Sequence, residues 1–129
     1  MAVKRTTSKR KIRRTVSHVK VCINAGFNNT IVTITDLDGN VISWATPGVC
    51  GFKGSKKSTP YAAQKAAEMA IEKAKGFGIE QADVLIRGVG PGREQAIRGL
   101  HLSGIDIRSI VDRTQTPHGG CRPKNPRSV

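Results

Sequence analysis

Acid is what this chain of 129 residues most lacks, and the shortage is sharpest at its ends. The first fourteen residues hold no Asp or Glu but seven bases: Lys4, Arg5, Lys9, Arg10, Lys11, Arg13 and Arg14. The closing stretch CRPKNPRSV again has none, and carries Arg122, Lys124 and Arg127 among prolines. Near the middle, GFKGSKKSTP adds Lys53, Lys56 and Lys57, also without acid. Lys and Arg number 22 against 9 Asp and Glu, and these three clusters account for the whole excess of +13. The remainder is nearly neutral. Like charge gathered this way repels itself until an anion neutralises it, so a body with basic arms points to a polyanion partner.

Other absences narrow the class. No apolar run approaches the roughly 20 residues a membrane span needs, and no apolar stretch follows the basic N-terminus, so a secretory signal is not expected. That terminus shares its Ser, Thr and Arg with organelle transit peptides, but it is short and Lys-dense, which favours a nucleic-acid arm. Three cysteines, Cys22, Cys50 and Cys121, are an odd number at wide spacing. They suit free thiols in a reducing compartment, either cytosol or an organelle matrix. Catalytic groups are missing too. The first predicted strand, HVKVCINA, carries no carboxylate, while Asp36 and Asp38 fall in a turn whose geometry such residues serve. His118 and Cys121 lack two further ligands at zinc-like spacing. His101 is expected to be a partly buried packing residue of a helix rather than a base. Neither an enzyme nor a metal or cofactor protein is expected.

What is present is the pattern of one α/β domain. Val, Ile and Thr alternate with period two over residues 18–25, 29–36 and 41–46, predicting three antiparallel strands, with the Asp-Gly of DLDGN as a hairpin turn. A Gly-rich basic loop over 47–57 precedes a helix capped by Thr59, with Pro60 at its first position. Ala63, Ala66, Ala67, Ala70 and Ala74 give that helix a smooth face, and Gly76 and Gly78 stop it. A strand in DVLIRG, the turn VGPG, a helix in REQAIRGLHLSG and a strand in IDIRSIVD then form a βαβ unit with a parallel, right-handed crossover. The expected fold is a mixed sheet of about five strands, antiparallel first and parallel later, with helices covering it. Residues 1–16 are assigned to a disordered basic arm, 17–112 to the domain and 113–129 to an extended basic tail.

Two segments are candidates for gripping phosphate. In GFKGSKKSTP, Gly54 lets backbone approach, Lys53, Lys56 and Lys57 neutralise, and Ser55 and Ser58 donate; the spacing is not that of a P-loop. GVGPGR joins a strand to a helix, where backbone N–H groups bind anions. It is not a dinucleotide fingerprint, because Arg93 stands where the third glycine belongs and Pro91 removes a donor. Two readings stay open: Gly90 and Gly92 allow tight packing, or they bring backbone to an RNA phosphate with Arg93 as counter-charge. Phe52 is balanced between stacking on a base and packing, whereas Trp44 is expected in the core. A DNA-binding regulator would need a base-reading helix, and the alanine-faced helix is built to pack.

FNNTIVTITD, GFKGSKKSTPYAAQKAAE, GVGPGREQAIRGL and TPHGGCRP, in this order over about residues 18–123, resemble the bacterial-type family of the eleventh small-subunit ribosomal protein. The resemblance implies a ribonuclease H-like topology without catalytic acids. It also implies binding to 16S-type ribosomal RNA on the platform of the small subunit, near the messenger RNA exit and the Shine–Dalgarno cleft. Small-subunit proteins six, seven and eighteen would be neighbours, in a bacterial cytoplasmic or an organelle ribosome. Asn28, Asn29 and His118 join the expected RNA contacts on the motifs that contain them. Two departures stand out. Gly119 replaces the usual Asn of an Asn-Gly pair, removing the route to isoaspartate, and the tail is less basic beyond Lys124.

Overall fold

The computed structural model describes residues 15–128. Strands β1 (His18–Ala25), β2 (Thr30–Thr35) and β3 (Val41–Ala45) come first, followed by a short 3-10 helix, Gly54–Ser58, and helix α1 (Pro60–Ala74). After a 3-10 turn, Lys75–Phe77, come β4 (Gln81–Arg87), α2 (Arg93–Leu102) and β5 (Asp106–Asp112). The sheet order is β3-β2-β1-β4-β5; β1, β2 and β3 pair antiparallel, while β4 runs parallel to both β1 and β5. The mixed five-stranded sheet with two helices is the expected fold class.

Local chemistry sets the element boundaries. At the β2–β3 hairpin the Asp36 carboxylate accepts from the N–H groups of Asp38 and Asn40, at 3.0 and 2.9 Å, and Gly39 turns the chain at φ 100°. Asp36 therefore serves the turn, as residues of its type do. The Thr59 hydroxyl accepts from the Ala62 N–H at 3.2 Å and caps α1, with Pro60 in its first turn. Gly78, left-handed at φ 73°, follows the 3-10 turn that closes this segment. The predicted loop 47–57 differs from expectation: its second half tightens into the 3-10 helix, closed by backbone bonds such as Lys56 N–H to the Lys53 carbonyl.

The core lies between the helices and one sheet face. Val19, Val21 and Ile23 of β1, Val32 and Ile34 of β2, and Val84 of β4 meet the alanine face of α1, whose Ala63, Ala66, Ala67, Ala70 and Ala74 are fully buried. Ser43 is the polar member, donating to the Ala70 carbonyl at 2.9 Å. The parallel steps β1 to β4 and β4 to β5 go in the same direction, and right-handed crossovers then put both helices on one side. Among the described residues the sheet is therefore covered by helices once, not twice, and none of them covers the face bearing Cys22, Thr33, Trp44 and Leu85. Trp44, expected in the core, is 51% exposed on this face. It alternates with Ser43 and Ala45, and α1 sits so close to the sheet that these two small residues take the inner positions. His101, expected to be partly buried, is exposed on α2.

Helix α2 reaches α1 through Gly99. A Cβ there would lie 2.7 Å from the Gln64 carbonyl oxygen and 3.2 Å from Ala67 Cβ. Gly99→Ala would gain about 1 kcal/mol of helix propensity, but overpacking costs about 1–3 kcal/mol. Net destabilisation is the expected result, read as a lower denaturation midpoint at unchanged m value.

Candidate nucleic-acid interface

In the basic loop Lys53, Gly54, Ser55 and Lys56 are exposed, Lys57 and Ser58 are half-buried, and Pro47 at its start is buried. Lys53 is extended and Gly54 left-handed at φ 59°, so the chain swings outward before the 3-10 turn carries Lys56 and Lys57. Among the described residues none of these three lysines has an ion-pair partner within 4 Å. The Ser58 hydroxyl donates to the Ser55 carbonyl at 2.9 Å, which leaves the Ser55 hydroxyl as the outward donor. Phe52 is half-buried with its ring edge-on to Tyr61, centroids 5.9 Å apart, so its partner is protein.

The glycines of the turn pack against protein, with Gly90 and Gly92 buried while Val89 and Pro91 face outward. Gly90 N–H donates to the Ala25 carbonyl at 3.0 Å, and Gly88 N–H to the Thr114 hydroxyl at 3.1 Å. A Cβ on Gly88 would strike the Ala25 carbonyl, and one on Gly90 the Gly26 carbonyl. At Gly92 it would lie 2.5 Å from Thr30 Oγ1 and 2.7 Å from Ala63 Cβ. The Arg93 guanidinium donates to the Gly88 carbonyl at 3.0 Å and to Asp112 Oδ2 at 2.7 Å. In this geometry the glycines of GVGPGR are packed closely against protein, and Arg93 ties the turn to β5. Asp112 also accepts from the Thr114 hydroxyl and N–H, at 2.6 and 3.0 Å. Those bonds, with Arg93, hold its carboxyl down at about 2. A depressed carboxyl adds stability that is complete above its ordinary 3.8 and is lost as the pH falls through about 2. Thr114→Val is expected to move the Asp112 titration upward toward 3.8, followed by carboxyl NMR.

The fold gathers several candidates at one end of the strands. Gly26 N–H closes the β1–β2 turn onto the Asn29 carbonyl at 2.8 Å, and Asn29 Oδ1 accepts from Thr30 N–H. Gly26, which closes that turn, stands against Gly90, and Gly90 and Pro91 in turn neighbour Pro60, where the basic loop enters α1. Phe27, 73% exposed in the same turn, escaped the sequence reading because a lone aromatic between glycine and asparagine carries no pattern. His118, Arg122, Lys124 and Arg127 lie on an exposed tail without regular structure, in which Arg122 donates to Asn125 Oδ1 at 3.2 Å. Lys4, Arg5, Lys9, Arg10, Lys11, Arg13 and Arg14 lie outside the described residues.

A family model described as Ribosomal protein S11 matches residues 19–128. The chain belongs to the ribosomal protein S11 family. It is similar to the small ribosomal subunit protein uS11 of Thermus thermophilus, 57% identical over 117 residues that cover 91% of each chain. It is also similar to the uS11 of Acinetobacter baumannii, 54% identical over 126 residues and 98% of each. Membership of the S11 family makes this a structural, non-enzymatic protein of the small ribosomal subunit, working in the cytoplasmic ribosome. An exposed basic loop beside a turn locked by its own backbone is consistent with a scaffold role. Among the described residues no helix is long and apolar enough to cross a membrane.

Proposed function

We propose that this S11-family chain binds 16S-type ribosomal RNA in the platform of the small subunit, near the messenger RNA exit and the Shine–Dalgarno cleft. Small-subunit proteins six, seven and eighteen are its proposed neighbours. The observation that carries the reading is a set of three lysines, Lys53, Lys56 and Lys57, which have no ion-pair partner among the described residues and sit on a loop at the end of the fold that also presents Asn28 and Asn29. Phosphate contacts of this kind position a protein on RNA without reading its sequence. The bases of the N-terminal arm and the tail residues His118, Arg122, Lys124 and Arg127 are proposed to add further phosphate contacts; a tail so poor in apolar side chains gains order from RNA rather than from a core. Gly90, Gly92 and Arg93 support this surface from behind by fixing the Asn28–Asn29 turn.

The triple variant K53A/K56A/K57A tests the reading. Surface changes of this type stay within about 0.5 kcal/mol of neutral, so the melting temperature should barely move. The slope of log affinity for platform RNA against log salt should fall by roughly 2–3, at about 0.7–0.9 per lost contact. Incorporation into small subunits, read by gradient sedimentation, should drop with it. An unchanged slope together with normal incorporation refutes the assignment.

A further inference from the structure

We propose that the bare face of the sheet is a second RNA-binding surface, which takes single-stranded RNA with a base seated in a groove across β2, β1 and β4. This rests on the RNA-binding reading above but uses none of the residues that carry it. The register builds the surface in rows. Ile31, Asn24 and Arg87 stand side by side across β2, β1 and β4, and the next row is Trp44, Thr33, Cys22 and Leu85. Strands lie about 4.8 Å apart, so the second row is a nearly flat platform with an exposed indole at one end. Between the rows lies a groove of about 570 Å³, within the roughly 300–1,000 Å³ of small-ligand sites. Its floor is apolar, from Ile31, Cys22 and Leu85, while Asn24, Thr33 and Gln115 bring hydrogen-bonding groups to it.

Charge selects the occupant. The guanidiniums of Arg87 and Arg113 border the groove, no carboxylate lines it, and among the described residues neither arginine has an ion-pair partner. Arg93, a few residues from Arg87, shows the contrast, since Asp112 neutralises its charge and Gly88 takes a second donor. The carboxylates of this face, Asp83 and Asp106, stand toward the other end of the strands, and Asp83 is held by His18 and Ser109, each at 3.0 Å. Trp44 is exposed, and Lys73 Nζ lies over its ring 5.4 Å from the centroid, so the indole that offers a stacking surface already carries a cation on it. Unpaired guanidiniums, amide and hydroxyl groups and an exposed indole on a flat sheet are the chemistry that holds splayed bases and their phosphates.

Trp44 is the chain's single tryptophan, so its emission reports on this face directly. The full chain is titrated with a single-stranded decaribonucleotide of mixed sequence, with a blunt RNA duplex, and with an acidic peptide of equal charge. Saturable quenching by the single strand alone is expected. By anisotropy of the labelled strand, Trp44→Ala should bind about tenfold more weakly, since base–aromatic stacking is worth about 1–3 kcal/mol. R87A/R113A should lower the salt slope by roughly 1.4, at about 0.7 per single-strand contact. All the changed side chains are exposed, and circular dichroism checks the fold. Unchanged emission at saturating RNA, with both variants binding normally while K53A/K56A/K57A binds weakly, overturns this surface and leaves the first reading intact. Quenching by the acidic peptide but not by RNA makes the face a protein-binding one and overturns it too. If the native chain binds no RNA at all, both readings fall.

Discussion

Gly90→Val is expected to unfold the protein or to lower its stability by about 3 kcal/mol or more. The added Cβ would meet the Gly26 carbonyl oxygen, and it would also lie 2.6 Å from the Gly26 carbonyl carbon and 3.0 Å from that of Ala25. Both obstacles are backbone, fixed by the strand ladder and by the Gly90 N–H to Ala25 bond, so no side chain can swing away. Overpacking against mobile neighbours costs about 1–3 kcal/mol, and a rigid neighbour pushes the cost to the top of that range or past it. Gly104→Ala provides the control. Gly104 has φ 89° with nothing within 4 Å of a would-be Cβ, so only backbone strain of about 1–2 kcal/mol applies. Urea unfolding followed by circular dichroism should separate the two, and a Gly90→Val protein as stable as Gly104→Ala would show that β1 and the turn part freely.

The largest effect on RNA should come from the N-terminal charges. Replacing Lys4, Arg5, Lys9, Arg10, Lys11, Arg13 and Arg14 by Gln removes seven of the 22 bases. If each meets a phosphate, the salt slope falls by roughly 5–6, at 0.7–0.9 per contact. Contacts in that number correspond to about 10³–10⁵ in affinity between 50 and 200 mM salt. Filter binding across a salt series measures both quantities. A slope smaller by one or less would mean that the arm stays in solvent.

Much of this could be read in the residues because local chemistry decides it. The Asp-Gly hairpin and the Thr59–Pro60 helix start each follow from a side chain acting on backbone within a few positions, and the alanine face of α1 follows from residue spacing along one helix. What escaped depends on distant partners. The partner of Arg93 could not be read at its helix start, because Asp112 lies nineteen residues on. Trp44 looks like core because a large ring usually seeks burial, but a helix faced with alanine leaves room only for Ser43 and Ala45 beneath it. Arg87 and Arg113 carried no motif at all. They matter only because two crossovers in the same direction leave their face of the sheet bare.

The clip that joins Arg93, Asp112 and Thr114 also fixes where the C-terminal tail begins. Arg113 N–H donates to the Ile86 carbonyl at 2.7 Å, and the Thr114 hydroxyl meets the Gly88 N–H. The chain therefore leaves the body from one anchored point beside the groove. The fourteen residues from Gln115 to Ser128 could span at most about 50 Å when extended, at 3.3–3.6 Å each. Once the body is docked, the tail's bases search a tethered volume rather than free solution. The second engagement becomes intramolecular, with an effective concentration in the millimolar range typical of short flexible tethers. On the RNA-binding reading proposed above, weak individual contacts in a sparsely charged tail then suffice, because the anchor keeps them close to the RNA.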